Sequence, residues 1–188
     1  MKQESEIEEK ELARLCSKGD NLARKELYMR YATRIAALCY RYVHDKEKAQ
    51  DLMHDTMIKA YKSIGNYQYK GTDSLYAWIR GIAIKTAVDR FRKDRHIHSI
   101  DLETLFDPDA LPTKEEIGKI SMSELKQLIK DLPDRQRMIF NMFCIDECSH
   151  KEISRRMGIT EKTSSSLLSK AKKTLGNRTM AFIKSNDL

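Results

Sequence analysis

The stretch GITEKTSSSLLSKAKKTLGN, residues 158–177, sets hydroxyls and amines side by side. Thr160, Thr163, Ser164, Ser165, Ser166 and Ser169 supply hydroxyls that both donate and accept hydrogen bonds. Lys162 and, further along, Lys170, Lys172 and Lys173 supply positive charge. Three consecutive serines are poor helix formers, because their side chains compete for backbone hydrogen bonds. Leu168, Ala171 and Leu175 recur at helical spacing and offset that cost by packing. Small hydroxyls near a helix start, followed by lysines, match the chemistry of base edges and phosphates. The plain alternative is a solvated helix whose serines contact nothing.

A second basic segment, RGIAIKTAVDRFRKDRH, begins at Arg80. It carries Lys85, Arg90, Arg92 and Lys93, and six basic residues against two acidic ones between Arg80 and Arg95. Tyr67, Tyr69, Lys70, Trp78 and Phe91 lie close by in sequence. Basic residues interleaved with aromatic ones suit a separated strand, whose unpaired bases stack on rings. Trp78 taken alone reads as core. The arginines and the tyrosine loop read as facing nucleic acid.

Other chemistry is poorly represented. No paired carboxylates, nucleophile triad or phosphate-cradling glycine loop is visible, so no catalytic residue, cofactor or enzymatic activity is expected. Cys144, Cys148 and His150 have a spacing that zinc can use, but a fourth ligand is not evident. Reduced thiols, buried or half-buried, are the simpler reading, and no metal is assigned. Four cysteines in 188 residues do not make a disulfide framework.

The net charge is +7, from 35 Lys and Arg against 28 Asp and Glu, which favours an acidic partner. Only 7 Gly and 3 Pro suit a helical chain. No apolar run approaches the ~20 residues of a membrane span, so stable membrane insertion is not expected. The opening MKQESEIEEKELARLCSKGD lacks an apolar signal core, which points to the cytoplasm.

The elements that must carry these residues follow from periodicity. Leu27, Tyr31, Ile35, Leu38 and Tyr42 mark a helix over 21–43, with Gly19-Asp20 stopping a shorter one before it. Asp45 caps a helix from about 46 to 64 that turns Ala49, Leu52, Met53, Thr56, Met57 and Ala60 inward. Asp73 or Ser74 caps a further helix to about 95, with Trp78, Ile82 and Val88 on its apolar side. The segment SIDLETLFDPDALPTKEE has six acidic residues and two prolines and no helical period, which predicts an extended, mobile linker. The expectation is therefore an all-α chain of two small helical domains, 1–96 and 119–188, joined by a flexible acidic linker, 97–118. In the second domain, Leu125, Leu128, Ile129 and Leu132 form a stripe, and Pro133 opens the next helix. Ser149 caps HKEISRRM, Gly158 turns the chain and Thr160 caps the final helix, with Thr163 three residues on. A short helix, a glycine turn and a longer helix make a helix-turn-helix, packed by Ile153, Met157 and Ile159. Its second helix is the one that enters a major groove.

Taken in order, these motifs resemble a bacterial sigma factor of the sigma-70 family, in its small extracytoplasmic-function (ECF) group. KAQDLMHDTMIKAYKSI looks like the helix that docks on the clamp of core RNA polymerase, YAWIRGIAIKTAVDRFRK like the helix that melts and reads the minus-10 element, and the segment from Asp131 to Leu175 like the domain that reads minus-35. The resemblance covers about residues 10–95 and 120–178. It implies that Asp51, His54, Asp55 and Lys59 face the polymerase. It implies that the loop 66–75 takes up a flipped base, and that Lys85, Arg90, Arg92 and Lys93 hold the strand's phosphates. It implies that the linker runs toward the RNA exit path. Its expected partners are core RNA polymerase, promoter DNA and an anti-sigma protein. Lys85 stands where many relatives have Asn, Ser165 and Leu167 where many have Lys and Arg, and Ser164 where a buried aliphatic residue is usual. These departures bear on which promoter is read and how tightly minus-35 is held. Two other classes remain open from sequence: a helix-turn-helix regulator that binds duplex DNA as a dimer, and a helical protein-binding adaptor.

Overall fold

The computed structural model describes residues 8–95 and 120–186. The expected linker, 97–118, lies outside the described residues. Among those residues the chain is helical and has no strand, and it divides into two compact units, Met1–Arg90 and Phe91–Leu188.

The first unit holds α1 (Glu9–Ser17), α2 (Asn21–Val43), α3 (Lys46–Ser63) and the start of α4 (Ser74–Arg95). Gly19, at φ +85°, makes the turn between α1 and α2. The Asp20 carboxylate then accepts from the Ala23 N–H at 2.9 Å, and Asp45 does the same for Lys48 at the head of α3. All the apolar positions predicted for α2 and α3 are buried, and Leu27, Ile35, Leu52 and Ala60 are fully so. Each such aliphatic side chain contributes about 1.5–3 kcal/mol relative to exposure. Thr56 is buried among them and satisfies its hydroxyl on the Leu52 carbonyl at 2.7 Å. On α4 the inward side is Leu75, Ile79, Ala83, Ile84, Ala87 and Val88. Trp78 and Ile82, expected on that side, are half-buried and flank it.

The second unit contains α5 (Met122–Lys130), α6 (Asp134–Phe140), α7 (His150–Met157) and α8 (Glu161–Asn186). Ser121 and Glu124 form a reciprocal capping box at the head of α5. The Arg137 guanidinium donates 2.9 Å bonds to the carbonyls of Lys130 and Leu132, closing the α5–α6 turn. Leu132, Ile139, Met142, Ile153, Leu168 and Ala171 are buried in this unit, and Leu128, Ile129 and Phe140 pack at the edge of Leu132, Ala171 and Leu175. After α6 the coil widens into a π-turn, Asn141–Ile145, which periodicity did not predict. The turn leaves Cys144 exposed while Cys148 is buried in the following loop, so the two thiols do not share a helix face.

Candidate nucleic-acid and polymerase interfaces

The helix-turn-helix is fixed by its caps. Ser149 opens α7: its hydroxyl accepts from the Glu152 N–H at 3.2 Å, and Glu152 returns a bond from the Ser149 N–H at 2.9 Å. The Ser149 N–H and, after it, the Ser149 hydroxyl, which donates to the same carboxylate oxygen at 2.9 Å, hold the Glu152 carboxyl below its ordinary pKa. Gly158, at φ +68°, ends α7 in a left-handed turn that a side chain would strain. Thr160 then accepts from the Thr163 N–H at 3.0 Å, and their hydroxyls meet at 2.8 Å.

From this start α8 sorts its hydroxyls into two groups. Thr160, Lys162, Ser165, Ser166, Ser169 and Lys170 are exposed, and Thr163 and Lys173 half-buried. Ser164 differs. It is fully buried, and its hydroxyl meets His150 Nδ1 at 2.9 Å. The expectation that all three serines contact DNA is corrected here: Ser164 lies on the inner side of α8, one residue out of phase with the outward face, and joins α8 to α7. His150 in turn stacks on Phe143 at 4.5 Å between ring centroids.

In the first unit the loop before α4 is built around Ser74. Its hydroxyl shares a 2.6 Å bond with the Tyr67 hydroxyl and accepts from the Lys70 N–H at 3.2 Å. It therefore closes the loop rather than capping the helix. Tyr67 is half-buried, and its ring lies 5.6 Å from that of Trp78, tilted by 58°. Burial raises the Tyr67 hydroxyl pKa, against the smaller opposing pull of Ser74. Tyr69 and Lys70 stand exposed beside this pair. Further along α4, Lys85, Arg92 and Lys93 are exposed and Arg90 half-exposed.

Asp51, His54, Asp55 and Lys59 form an exposed ridge on α3, with Ile58, 51% exposed, among them. The ridge is tied to its neighbours. Lys59 Nζ donates to the buried Thr86 hydroxyl at 3.1 Å, so its amine braces α4 as well as facing solvent. Arg90 pairs with Asp51 at 3.9 Å and reaches the Lys48 carbonyl at 3.5 Å. His54 Nε2 lies 3.5 Å from the Tyr28 hydroxyl of α2. Residues assigned to polymerase and to DNA thus touch one another, which their separation in sequence did not signal. Sequence reasoning also passed over Glu9, Arg34 and Tyr76, which surround the start of α4.

Two units, one of them carrying a helix-turn-helix with a capping box, place the chain among the all-helical helix-turn-helix proteins. The comparisons narrow this further. Residues 27–97 match sigma-70 region 2 and residues 122–175 match sigma-70 region 4. The chain is 28% identical over 158 residues to the RNA polymerase sigma-H factor of Pseudomonas aeruginosa, covering 78% of this chain and 81% of that protein. It is 26% identical over 182 residues to the ECF RNA polymerase sigma-E factor of Escherichia coli, covering 89% and 92%. In fold it is similar to the sigma factor RpoE of Bartonella quintana, solved with the anti-sigma factor NepR, with a TM-score of 0.51, 19% identity and coverage of 84% of this chain and 96% of that one. The two regions occur in family order and together span most of the sequence: this chain belongs to the sigma-70 family, in its ECF group. No described helix is long and apolar enough to cross a membrane.

Proposed function

We propose that this chain is an alternative sigma factor that binds core RNA polymerase, directs it to specific promoters and is itself controlled by an anti-sigma protein. The observation that carries the reading is the ordered pair of matches, region 2 on the α2–α4 unit and region 4 on the helix-turn-helix unit. A regulator that binds duplex DNA alone has no use for the first of these. The chain works as a cytoplasmic subunit and is no enzyme; catalysis belongs to the polymerase it joins. Residues 1–96 form the domain for polymerase binding and minus-10 melting, 97–118 the linker and 119–188 the minus-35 domain.

Within this reading Asp51, His54, Asp55 and Lys59 meet the polymerase. Their exposure on one ridge beside Ile58 suits an interface with a polar rim and an apolar centre. Tyr67, Tyr69, Lys70 and Trp78 receive a base flipped from the non-template strand. Stacking on a ring offsets the few kcal/mol of unstacking. Lys85, Arg90, Arg92 and Lys93 hold its phosphates. Thr160, Lys162, Thr163, Ser165, Ser166, Ser169, Lys170 and Lys173 meet the duplex at minus-35, with Ser164 supporting them from within.

The test is transcription in vitro from a pool of genomic fragments by bacterial core polymerase with the purified chain, with transcript starts mapped by sequencing. Discrete starts that require the chain and share two upstream boxes are expected. Absence of such starts, with no binding to core polymerase, sinks the reading. Asp51→Arg with His54→Ala should weaken core binding and leave the helical signal unchanged; equal binding would remove the ridge from the interface.

A further inference from the structure

Glu9 stands at the head of α1, and its carboxylate makes two bonds outside its own helix. One oxygen accepts from the Tyr31 hydroxyl at 2.8 Å. The other accepts from the Leu75 N–H at 3.3 Å. Leu75 lies in the first turn of α4, where backbone N–H groups have no intrahelical acceptor and negative charge is favoured. The two residues placed by sequence to cap α4 are engaged elsewhere. The Ser74 hydroxyl holds Tyr67 and the Lys70 N–H. Asp73, at φ +60°, turns its carboxylate to Arg34 at 3.7 Å. The cap on α4 is thus supplied by another helix.

The same carboxylate anchors a stack. Tyr31 is only 3% exposed, and its ring stacks on that of Tyr76 at 6.1 Å between centroids, inclined by 30°. The Arg34 guanidinium sits 3.7 Å from the Tyr76 centroid. Burial, and then the bond it donates to Glu9, hold the Tyr31 hydroxyl well above its ordinary pKa, so it stays a donor. Residues 73 to 76 are all engaged by these bonds and ring contacts: Asp73 and Tyr76 with α2, Leu75 with α1, and Ser74 with the loop that carries Tyr67.

We propose that Glu9 is a positioning residue for the base-receiving loop: by capping α4 from α1 and anchoring Tyr31, it sets Tyr67 against Trp78 before a base arrives. This rests on the reading of residues 66–75 as the strand-reading loop. A pair of rings already held in place avoids ordering cost at the moment of binding, and so sharpens the difference between right and wrong bases.

The test uses the full chain assembled with bacterial core polymerase on a promoter found by start mapping. The variants are Glu9→Ala, Glu9→Gln, Tyr31→Phe and Tyr67→Ala. Three quantities are read: core binding, the ratio of open-complex formation on the promoter to that on single-base variants of its minus-10 element, and iodide quenching of Trp78. Trp78 is the only tryptophan, so the quenching reports the loop directly. Glu9→Ala should lower the ratio about tenfold, as expected for loss of a charged hydrogen bond, and raise the quenching with core binding unchanged. Glu9→Gln keeps an accepting oxygen and should stay within about threefold of the native ratio. Should Glu9→Ala fail to fold, Tyr31→Phe carries the test, with an expected fall of about threefold for one lost bond. An unchanged ratio in Glu9→Ala or Tyr31→Phe, while Tyr67→Ala abolishes discrimination, overturns the proposal and leaves the loop assignment standing. An unchanged ratio in Tyr67→Ala as well overturns both. A fall in core binding with the ratio intact reduces Glu9 to a purely structural residue and overturns the proposal.

Discussion

At the start of α4, Tyr67, Ser74, Trp78 and Lys70 are joined by short bonds and a ring contact, and Glu9 and Arg34 brace them from two other helices. At the start of α8, Ser165, Ser166 and Ser169 stand exposed on a 26-residue helix whose order comes from local caps and from packing on its opposite face. The first surface is a socket assembled from distant parts of the chain. The second is a rod on which side chains can be exchanged singly. A socket suits a base lifted out of its strand, which must be enclosed. A rod suits a groove, where the duplex already holds the bases in place.

The sharpest way to break this comparison lies inside the rod. Ser164→Lys forces a charge into a fully buried site against His150 and should cost about 3 kcal/mol or more, read as a fall in the melting temperature of the helix-turn-helix unit. Ser165→Lys, one residue away and exposed, should stay within about 0.5 kcal/mol of the native stability. Equal losses would mean that α8 has no distinct inner and outer face. In the socket, Tyr67→Phe removes the bond to Ser74 and should cost about 1 kcal/mol. Combined with Ser74→Ala, its effect on strand binding should be clearly non-additive, as for groups in one network. On the rod, Ser165→Ala and Ser169→Ala should each weaken duplex binding by less than about 1.5 kcal/mol, and their effects should add. Additivity in the socket, or strong coupling on the rod, would dissolve the distinction.

The smallest effect is one of pH. The Ser149 backbone and hydroxyl hold the Glu152 carboxyl below its ordinary pKa, and the Ser121 hydroxyl and backbone do the same for Glu124. A depressed carboxyl adds stability that is complete above its unfolded-state pKa and is lost as pH falls through the folded-state value. The melting temperature of this unit should therefore drop on acidification through the carboxylate range. It should drop less in Glu152→Gln, which keeps an acceptor but has no proton to take up.

Much of the rod was legible in the sequence. Ser149, Gly158 and Thr160 act within a few residues of themselves, so residue type and spacing suffice to place them. The buried faces of α2 and α3 were legible for the same reason, since a period of 3.6 residues is a local signal. Ser164 was misread because hydroxyl chemistry outweighed its phase on the helix. That it stands where an aliphatic residue is usual in the family is the better clue. The socket was only half visible. Tyr67 and Trp78 were singled out, but Glu9 bonds to Leu75 across 66 residues, and no local pattern announces such a partner. Asp73 and Ser74 fit the cap position of α4 by type and were drawn to Arg34 and Tyr67 instead. The π-turn escaped notice because its extra residue per turn leaves no composition mark.

That π-turn gives the protein a ready chemical handle. Cys16, Cys39 and Cys148 are buried, and burial pushes the Cys39 thiol up to about 12, far from the thiolate that a maleimide attacks. Cys144 is exposed; partial desolvation raises its thiol pKa too, against a smaller opposing pull from Lys172, but its sulfur is open to reagent. A dye added to the native chain should therefore attach at this one position, ahead of α7. Fluorescence anisotropy can then follow promoter fragments arriving at the helix-turn-helix with no cysteine added or removed.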